Sequence, residues 1–196
     1  MKHVLGLVVA LFLGSVVYAQ EQPSFEVGLN YSYLRFNPSG PVGGKSFNGG
    51  GGDFTWFVTS HIGIKADFEG YGSTTATYQT STAVANVQAN VFTYNFGPVV
   101  KFQVSRFHPF VEALGGAVHS NLYRSVCSQV GCGSRAPGNN AGSFIIGGGL
   151  DLPIGRHLVL RPVEVDYVLT RFGIQALGGN QNQNNVRYLG GVRWRF

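Results

Sequence analysis

The chain has 196 residues, room for one domain, with 12% charged and 13% aromatic residues, against roughly 25% charged residues in an average soluble domain. The net charge of +5 is modest and its basic residues are spread along the chain, which excludes a nucleic-acid surface built on one clustered basic face. Low charge, many aromatics and 29 glycines together suit a β-protein with little water contact.

The chain opens on a targeting pattern. Lys2 is followed by an apolar run, Val4 to Val17, interrupted only by Gly6, Gly14 and Ser15. Val17-Tyr18-Ala19 then places small residues at the −3 and −1 positions of a cleavage site before Gln20, the grammar of a secretory signal peptide. Residues 1–19 are expected to be the signal and 20–196 the mature domain. The run is shorter than the ~20 residues of a spanning helix, and no comparable run follows. Export combined with apolar richness leaves a secreted all-β protein or an outer-membrane barrel.

Eight segments then alternate with period two, which puts successive side chains on opposite faces of a strand. In the first, Phe25 to Phe36, Val27, Leu29, Tyr31 and Tyr33 oppose Glu26, Gly28, Asn30 and Ser32. After a Pro/Gly loop, the second (Phe47 to Val58) sets Phe54, Trp56 and Val58 against Asp53 and Thr55. The third (Ile62 to Tyr71) sets Ile62, Ile64, Ala66 and Phe68 against Lys65, Asp67 and Glu69. Gly72 to Gln88 reads as a polar loop. The fourth (Ala89 to Phe102) carries Phe92, Tyr94 and Phe96 on one face and Lys101 on the other, and the fifth (Phe107 to His119) carries Glu112 inward. Ser120 to Gly142 reads as the longest loop. The sixth (Ser143 to Ile154) and seventh (His157 to Thr170) turn Asp151, Glu164 and Asp166 inward, with Pro162 marking a bulge or an irregular start. Arg171 to Asn184 reads as a Gly/Asn/Gln-rich loop. The last strand ends in VRYLGGVRWRF, with Tyr188, Val192, Trp194 and Phe196 on one face and Arg187, Arg193 and Arg195 on the other.

Long and short connections alternate along the chain, the rhythm of an up-and-down antiparallel barrel with loops at one rim and tight turns at the other. Strands of about 10 to 13 residues suit a tilted bilayer crossing, which needs ~9–11. The charges point the same way. Glu26, Asp53, Asp67, Glu69, Glu112, Asp151, Glu164 and Asp166 share the inward parity with Lys65, Lys101, Arg187, Arg193 and Arg195, leaving Glu21 as the one acid elsewhere. A soluble sandwich or a lipocalin-like barrel needs an apolar inward face. A membrane barrel inverts the signs. An eight-stranded lumen is just wide enough for side chains to fill it, so these charges are expected to pair into a polar plug.

Taken in order, FEVGLNYSYLRF, FNGGGGDFTWFVTSHIGIKADFEG, FTYNFGPVVKF, HPFVEALGGA, GGGLDLPIGRHLVLRPVEVDYVLTRF and YLGGVRWRF resemble the OmpA/OmpX-type eight-stranded outer-membrane β-barrels, in particular the opacity-protein-like surface antigens. The resemblance covers essentially all of the mature chain and implies residence in the bacterial outer membrane. It also implies that Tyr188, Val192, Trp194 and Phe196 form the terminal signal read by the outer-membrane assembly machinery. The periplasmic peptidoglycan-binding domain of full OmpA proteins has no counterpart in the sequence.

Other chemistry finds weaker footing. Cys127 and Cys132, in CSQVGC, are expected to form a disulfide after export, closing a ring that stiffens its loop by about 2 kcal/mol; two ligands without a nearby His make a poor metal site. His119 and Ser120 suggest the acid–base and nucleophile pair of a lipid-modifying enzyme, yet as neighbours in a strand they point to opposite faces. His61, His108 and His157 read as interfacial polar residues. The glycine runs Gly49–Gly52 and Gly147–Gly149 lack the GK[ST] of a phosphate loop and read as sites of strand curvature and packing. The sequence therefore predicts a monomeric, non-enzymatic surface protein without cofactor or metal. Its partners would be outer-membrane lipid, the assembly machinery and an extracellular ligand or host surface, and its role would lie in envelope integrity or surface contact. A narrow pore is the competing reading, with the interior charges as an ion path.

Overall fold

In the computed structural model of the protein, the described residues are 24–37, 45–79, 84–120, 140–174 and 179–196. The expected signal segment and the Cys127–Cys132 pair lie outside them. Eight antiparallel strands form a closed barrel in sequence order. They are β1 (Ser24–Phe36), β2 (Lys45–Phe57), β3 (Ile62–Gln79), β4 (Val84–Lys101), β5 (His108–Ser120), β6 (Asn140–Pro153), β7 (Leu158–Ile174) and β8 (Gly179–Arg195). β8 returns to β1, pairing Glu26 with Arg195 and Arg35 with Val186. Closure leaves no strand edge in the barrel wall, the condition for a sheet to sit in hydrocarbon.

Period-two alternation sorts the side chains as a membrane requires. Outward Leu29 is 70% exposed while inward Arg193, on the adjoining strand, is 0% exposed. Phe68, Phe96, Ile146, Val165 and Val192 continue the exposed apolar girdle around the barrel. Aromatics mark both margins of that girdle, as at lipid–water interfaces. At the short-turn rim Phe25 stacks with Phe54 at 5.7 Å and with Trp56 at 6.3 Å, and His157 stacks on Trp194 at 5.7 Å. Toward the other rim the tyrosine hydroxyls find polar partners: Tyr33 donates to Ser46 Oγ at 2.7 Å and Tyr167 to Asn184 Oδ1 at 2.7 Å.

Two hairpins are longer than their sequence pattern predicts. β3 and β4 each have 18 residues and β7 and β8 each have 17, so strands occupy most of Gly72–Gln88 and Arg171–Asn184, read above as loops. β3 leaves β2 after Tyr71, and β4 joins β5 only from Val91 onward, yet β3 and β4 are paired as far as Gln79 and Val84. A register shift between Tyr71 and Thr74 marks where this two-stranded ribbon departs from the barrel wall. The Ser/Thr/Ala-rich ribbon stands beyond the apolar girdle, where both faces are free to be polar and no alternation is required.

β7 carries the expected bulge. Its register against β6 shifts between Leu150 and Leu152, and against β8 between Arg161 and Glu164. The extra residue at Pro162 lets both Arg161 and Glu164 face inward, at 3% and 0% exposure, although three positions separate them.

Candidate functional site: the charged lumen

All thirteen inward charges named from the sequence enter the lumen, and Arg161 joins them as a sixth base. Twelve are nearly fully buried, and Arg195 keeps a side-chain exposure of 27% at the short-turn rim. Arg161 was missed because strict alternation puts it on the lipid face; the bulge at Pro162 reverses the parity on its N-terminal side. The proline was the available signal, since a bulge flips every residue upstream of it.

The ion pairs join into one chain of contacts. From the short-turn rim, Arg195 holds Glu26 at 2.8 Å, and Lys101 bridges Glu26 at 2.7 Å to Asp151 at 2.8 Å. Arg161 grips Asp151 with two hydrogen bonds, Nε to Oδ1 at 2.6 Å and Nη2 to Oδ2 at 3.0 Å, and reaches Glu164 at 2.5 Å. Lys65 lies between Glu112 and Glu164, 2.9 Å from each. Arg193 binds Asp53 at 2.7 Å, and Arg187 binds Asp67 at 2.7 Å and Asp166 at 2.8 Å.

Glu164 is the hub. Lys65, Arg161, Arg187 and Arg193 all lie within 3.8 Å of its carboxylate. Taking charges out of water costs several kcal/mol per ion and is offset where a charge is multiply paired, as Glu164, Glu26, Asp151 and Lys65 are here. Glu69 is the one inward charge for which the described residues supply no ion pair: it accepts a hydrogen bond from Asn30 Nδ2 at 3.4 Å, and its Oε2 is unpartnered. The acids Glu112, Glu164 and Asp166 come close enough to hold a metal, but Lys65, Arg161 and Arg187 already neutralise them.

Inward glycines make room for these large side chains, which refines their reading as curvature residues. Gly28 pairs with Asp53, Gly51 with Glu69, Gly97 with Lys65, and Gly147 with both Glu112 and Asp166. A Cβ at Gly51 would lie 2.8 Å from Glu69 Cδ, and one at Gly147 would lie 2.7 Å from Asp166 Cγ. The small residue on one strand is thus the space filled by the charge on the next.

Apolar side chains complete the filling; of these, the alternation of β5 already puts Phe110 and Leu114 on the inward parity. Phe57, Val99 and Phe110 cluster near the short turns, and Leu114, Ile145 and Val168 cluster further up. Phe110 carries the Arg161 guanidinium at 3.7 Å from its ring centre, and Phe57 carries Lys101 Nζ at 4.6 Å. A cavity of about 230 Å³ opens at the short-turn mouth between Ser24, Glu26, Phe57, Lys101 and Arg195. Three of the network's side chains, Glu26, Lys101 and Arg195, line it.

The other named residues fall elsewhere. Tyr188, Val192, Trp194 and Phe196 stand exposed on the outer wall of β8 and just past its end. Ser120 is buried on the inward face, while His119 is half-buried and its Nδ1 lies 2.6 Å from Asn140 Oδ1. His61 and His157 are exposed at tight turns, where His61 Nδ1 lies 2.7 Å from Ser60 Oγ. His108 is half-buried at the start of β5.

No protein-family model matches the chain, and no curated relative matches it in sequence. Solved structures do share its fold. Neisserial surface protein A superposes with a TM-score of 0.61 at 12% identity, covering 90% of this chain and 100% of its own. Escherichia coli outer membrane protein W superposes with a TM-score of 0.51 at 16% identity, covering 91% of this chain and 100% of its own. The chain therefore has the fold of the eight-stranded outer-membrane barrels, and its apolar girdle is the surface such a barrel presents to lipid.

Proposed function

We propose that this protein is a non-enzymatic surface protein of the bacterial outer membrane, with a sealed lumen, acting in envelope integrity or surface contact through the ends of its long hairpins. The observation that carries this reading is the continuous ion-pair network from Arg195 to Asp67 across the barrel interior. A barrel whose interior is committed to structure leaves its rims to do the work. The β3/β4 ribbon, which runs past the barrel wall, is the part best placed to meet a partner outside the cell. The opposed faces of His119 and Ser120 count against a lipid-modifying pair there, because nucleophile and base must come within hydrogen-bond reach.

Planar-bilayer recording on refolded protein tests the sealed lumen. The expected trace is a flat baseline. Stable, reproducible unit conductances would replace the sealed barrel with the narrow-pore reading. An altered lipid A profile on deletion of the gene, reversed by the wild-type chain and not by His119→Ala, would replace it with the enzyme reading.

A further inference from the structure

The network uses up the acids of the protein, with a consequence for the outer wall. Of the nine acidic residues in the chain, eight face the lumen and the ninth is Glu21, ahead of the barrel. The basic residues outside the lumen, Arg35 and Arg171 among them, therefore have no acidic side chain on the barrel's own outer wall. Their counter-charges must come from the surroundings.

At Arg171 the wall is shaped to receive more than a counter-ion. Arg171 is exposed near the long-loop rim, one outward step beyond Leu169 and two beyond Tyr167, so it sits above the interfacial tyrosine at headgroup level. Its pairing partner on β6 is Gly142, and a side chain there would meet nothing within 4 Å. The missing side chain leaves an apolar groove of about 210 Å³ lined by Gly142, Ser143, Phe144, Leu169 and Arg171. On the same outward face Phe144 and, one step further down, Ile146 belong to the apolar girdle.

We infer that this groove is a binding site for a phosphate-bearing lipid of the leaflet at the long-loop rim. One acyl chain lies over Gly142 between Phe144 and Leu169, and the lipid phosphate meets the Arg171 guanidinium. Three features fit this occupant together. The groove lies within the lipid-facing band, where the neighbouring molecule is an acyl chain. Its one charge is a cation at the level of lipid phosphates. That cation has no acid beside it within the barrel wall. Guanidinium matches phosphate through paired N–H donors.

The test uses the full mature barrel refolded in dodecyl maltoside micelles and titrated with didodecanoyl phosphatidic acid or didodecanoyl phosphatidylcholine, with retained lipid counted by native mass spectrometry. Wild type is expected to retain one phosphatidic acid with about fivefold preference over phosphatidylcholine, the factor that corresponds to roughly 1 kcal/mol per basic residue at an anionic lipid surface. Arg171→Ala should abolish the preference. Gly142→Leu, at a position where an added Cβ meets nothing within 4 Å, should fill the groove and lower retention of both lipids. Arg35→Ala, at the same rim on β1, should change neither. Heat-shifted gel migration confirms folding of each variant. Equal retention of the two lipids by wild type, or an unchanged preference in Arg171→Ala, overturns the site. A loss in Arg35→Ala equal to that in Arg171→Ala reduces it to diffuse attraction and overturns it as well.

Discussion

Between the short turns and Arg187 the lumen is filled by ion pairs lying against a few apolar side chains, whereas between Arg187 and the long-loop rim it is filled by hydroxyls, amides and hydrocarbon. In the first region seven acids and six bases interlock around Glu164, with Glu69 held by Asn30 beside them. In the second, Ser32 and Tyr71 share a hydrogen bond at 2.9 Å, Asn185 donates to Thr170 at 3.2 Å, and Leu34, Phe47, Val91 and Val118 are buried beside them. The two regions fail differently when a side chain is removed. An unpaired charge in the first is stranded in a medium that cannot solvate it, while a lost hydroxyl in the second leaves one weak vacancy. The softer half faces the hairpins assigned to surface contact, and the stiffer half closes the barrel beneath them.

The largest expected effect tests that contrast at its hub. Glu164→Ala removes the carboxylate that four buried cations share and should destabilise the barrel by about 3–5 kcal/mol, the cost of breaking a buried ionic cluster. Tyr71→Phe, in the neutral half, removes one hydroxyl contact and should cost about 1 kcal/mol. Urea unfolding of the refolded variants in lipid vesicles measures both, provided the denaturant slope is unchanged. Comparable losses for the two substitutions would mean that the lumen is one uniform packing rather than two regions.

The halves also differ in how much of each could be read from sequence. Alternating residues gave the strand faces wherever one side met lipid and the other met the lumen, because that contrast is written as apolar against charged. Glu26, Asp53 and Arg193 were legible for this reason. The β3/β4 and β7/β8 extensions were not. Past the girdle both faces of a ribbon can be polar, so TTATYQ and NQNQNN carry no period to detect. Arg161 was hidden by the opposite circumstance: its stretch alternates well, but the bulge beside Pro162 reverses which face is inside. Partner choice was not legible either, since pairing Arg161 with Asp151 or Arg187 with Asp67 depends on stagger around the closed barrel. That stagger is a property of the whole sheet.

A smaller effect separates the inner wall from the outer at two glycines of β6. Gly147→Ala would drive a methyl group into the Asp166 carboxylate and to 2.9 Å from the Val165 carbonyl oxygen, and should cost about 1–3 kcal/mol as overpacking. Gly142→Ala meets nothing within 4 Å and should stay within about 0.5 kcal/mol of wild type, as most unconstrained surface changes do. Refolding yield and urea midpoints distinguish them. If Gly147→Ala is as mild as Gly142→Ala, inward glycines do not serve as space for the charges opposite.

A small effect on stability is also expected at the last residue, where folding and assembly can be pulled apart. Phe196 is 70% exposed, and its backbone N–H donates to the Phe25 carbonyl at 2.9 Å. Deleting it removes one hydrogen bond at the margin of the β1–β8 seam and leaves the Arg195–Glu26 pair in place, so the refolded barrel should lose about 1 kcal/mol or less. Assembly in cells should suffer far more if Tyr188, Val192, Trp194 and Phe196 act as a recognition strip, because a terminal aromatic read by another protein is lost outright. Arg193→Ala should show the reverse: it strands Asp53 inside the barrel but leaves the outward strip intact. Comparing vesicle refolding with heat-resistant band intensity in outer-membrane fractions measures the two effects side by side. Equal cellular assembly of wild type and the Phe196 deletion would reduce that residue to a lipid anchor and move the assembly signal elsewhere in the chain.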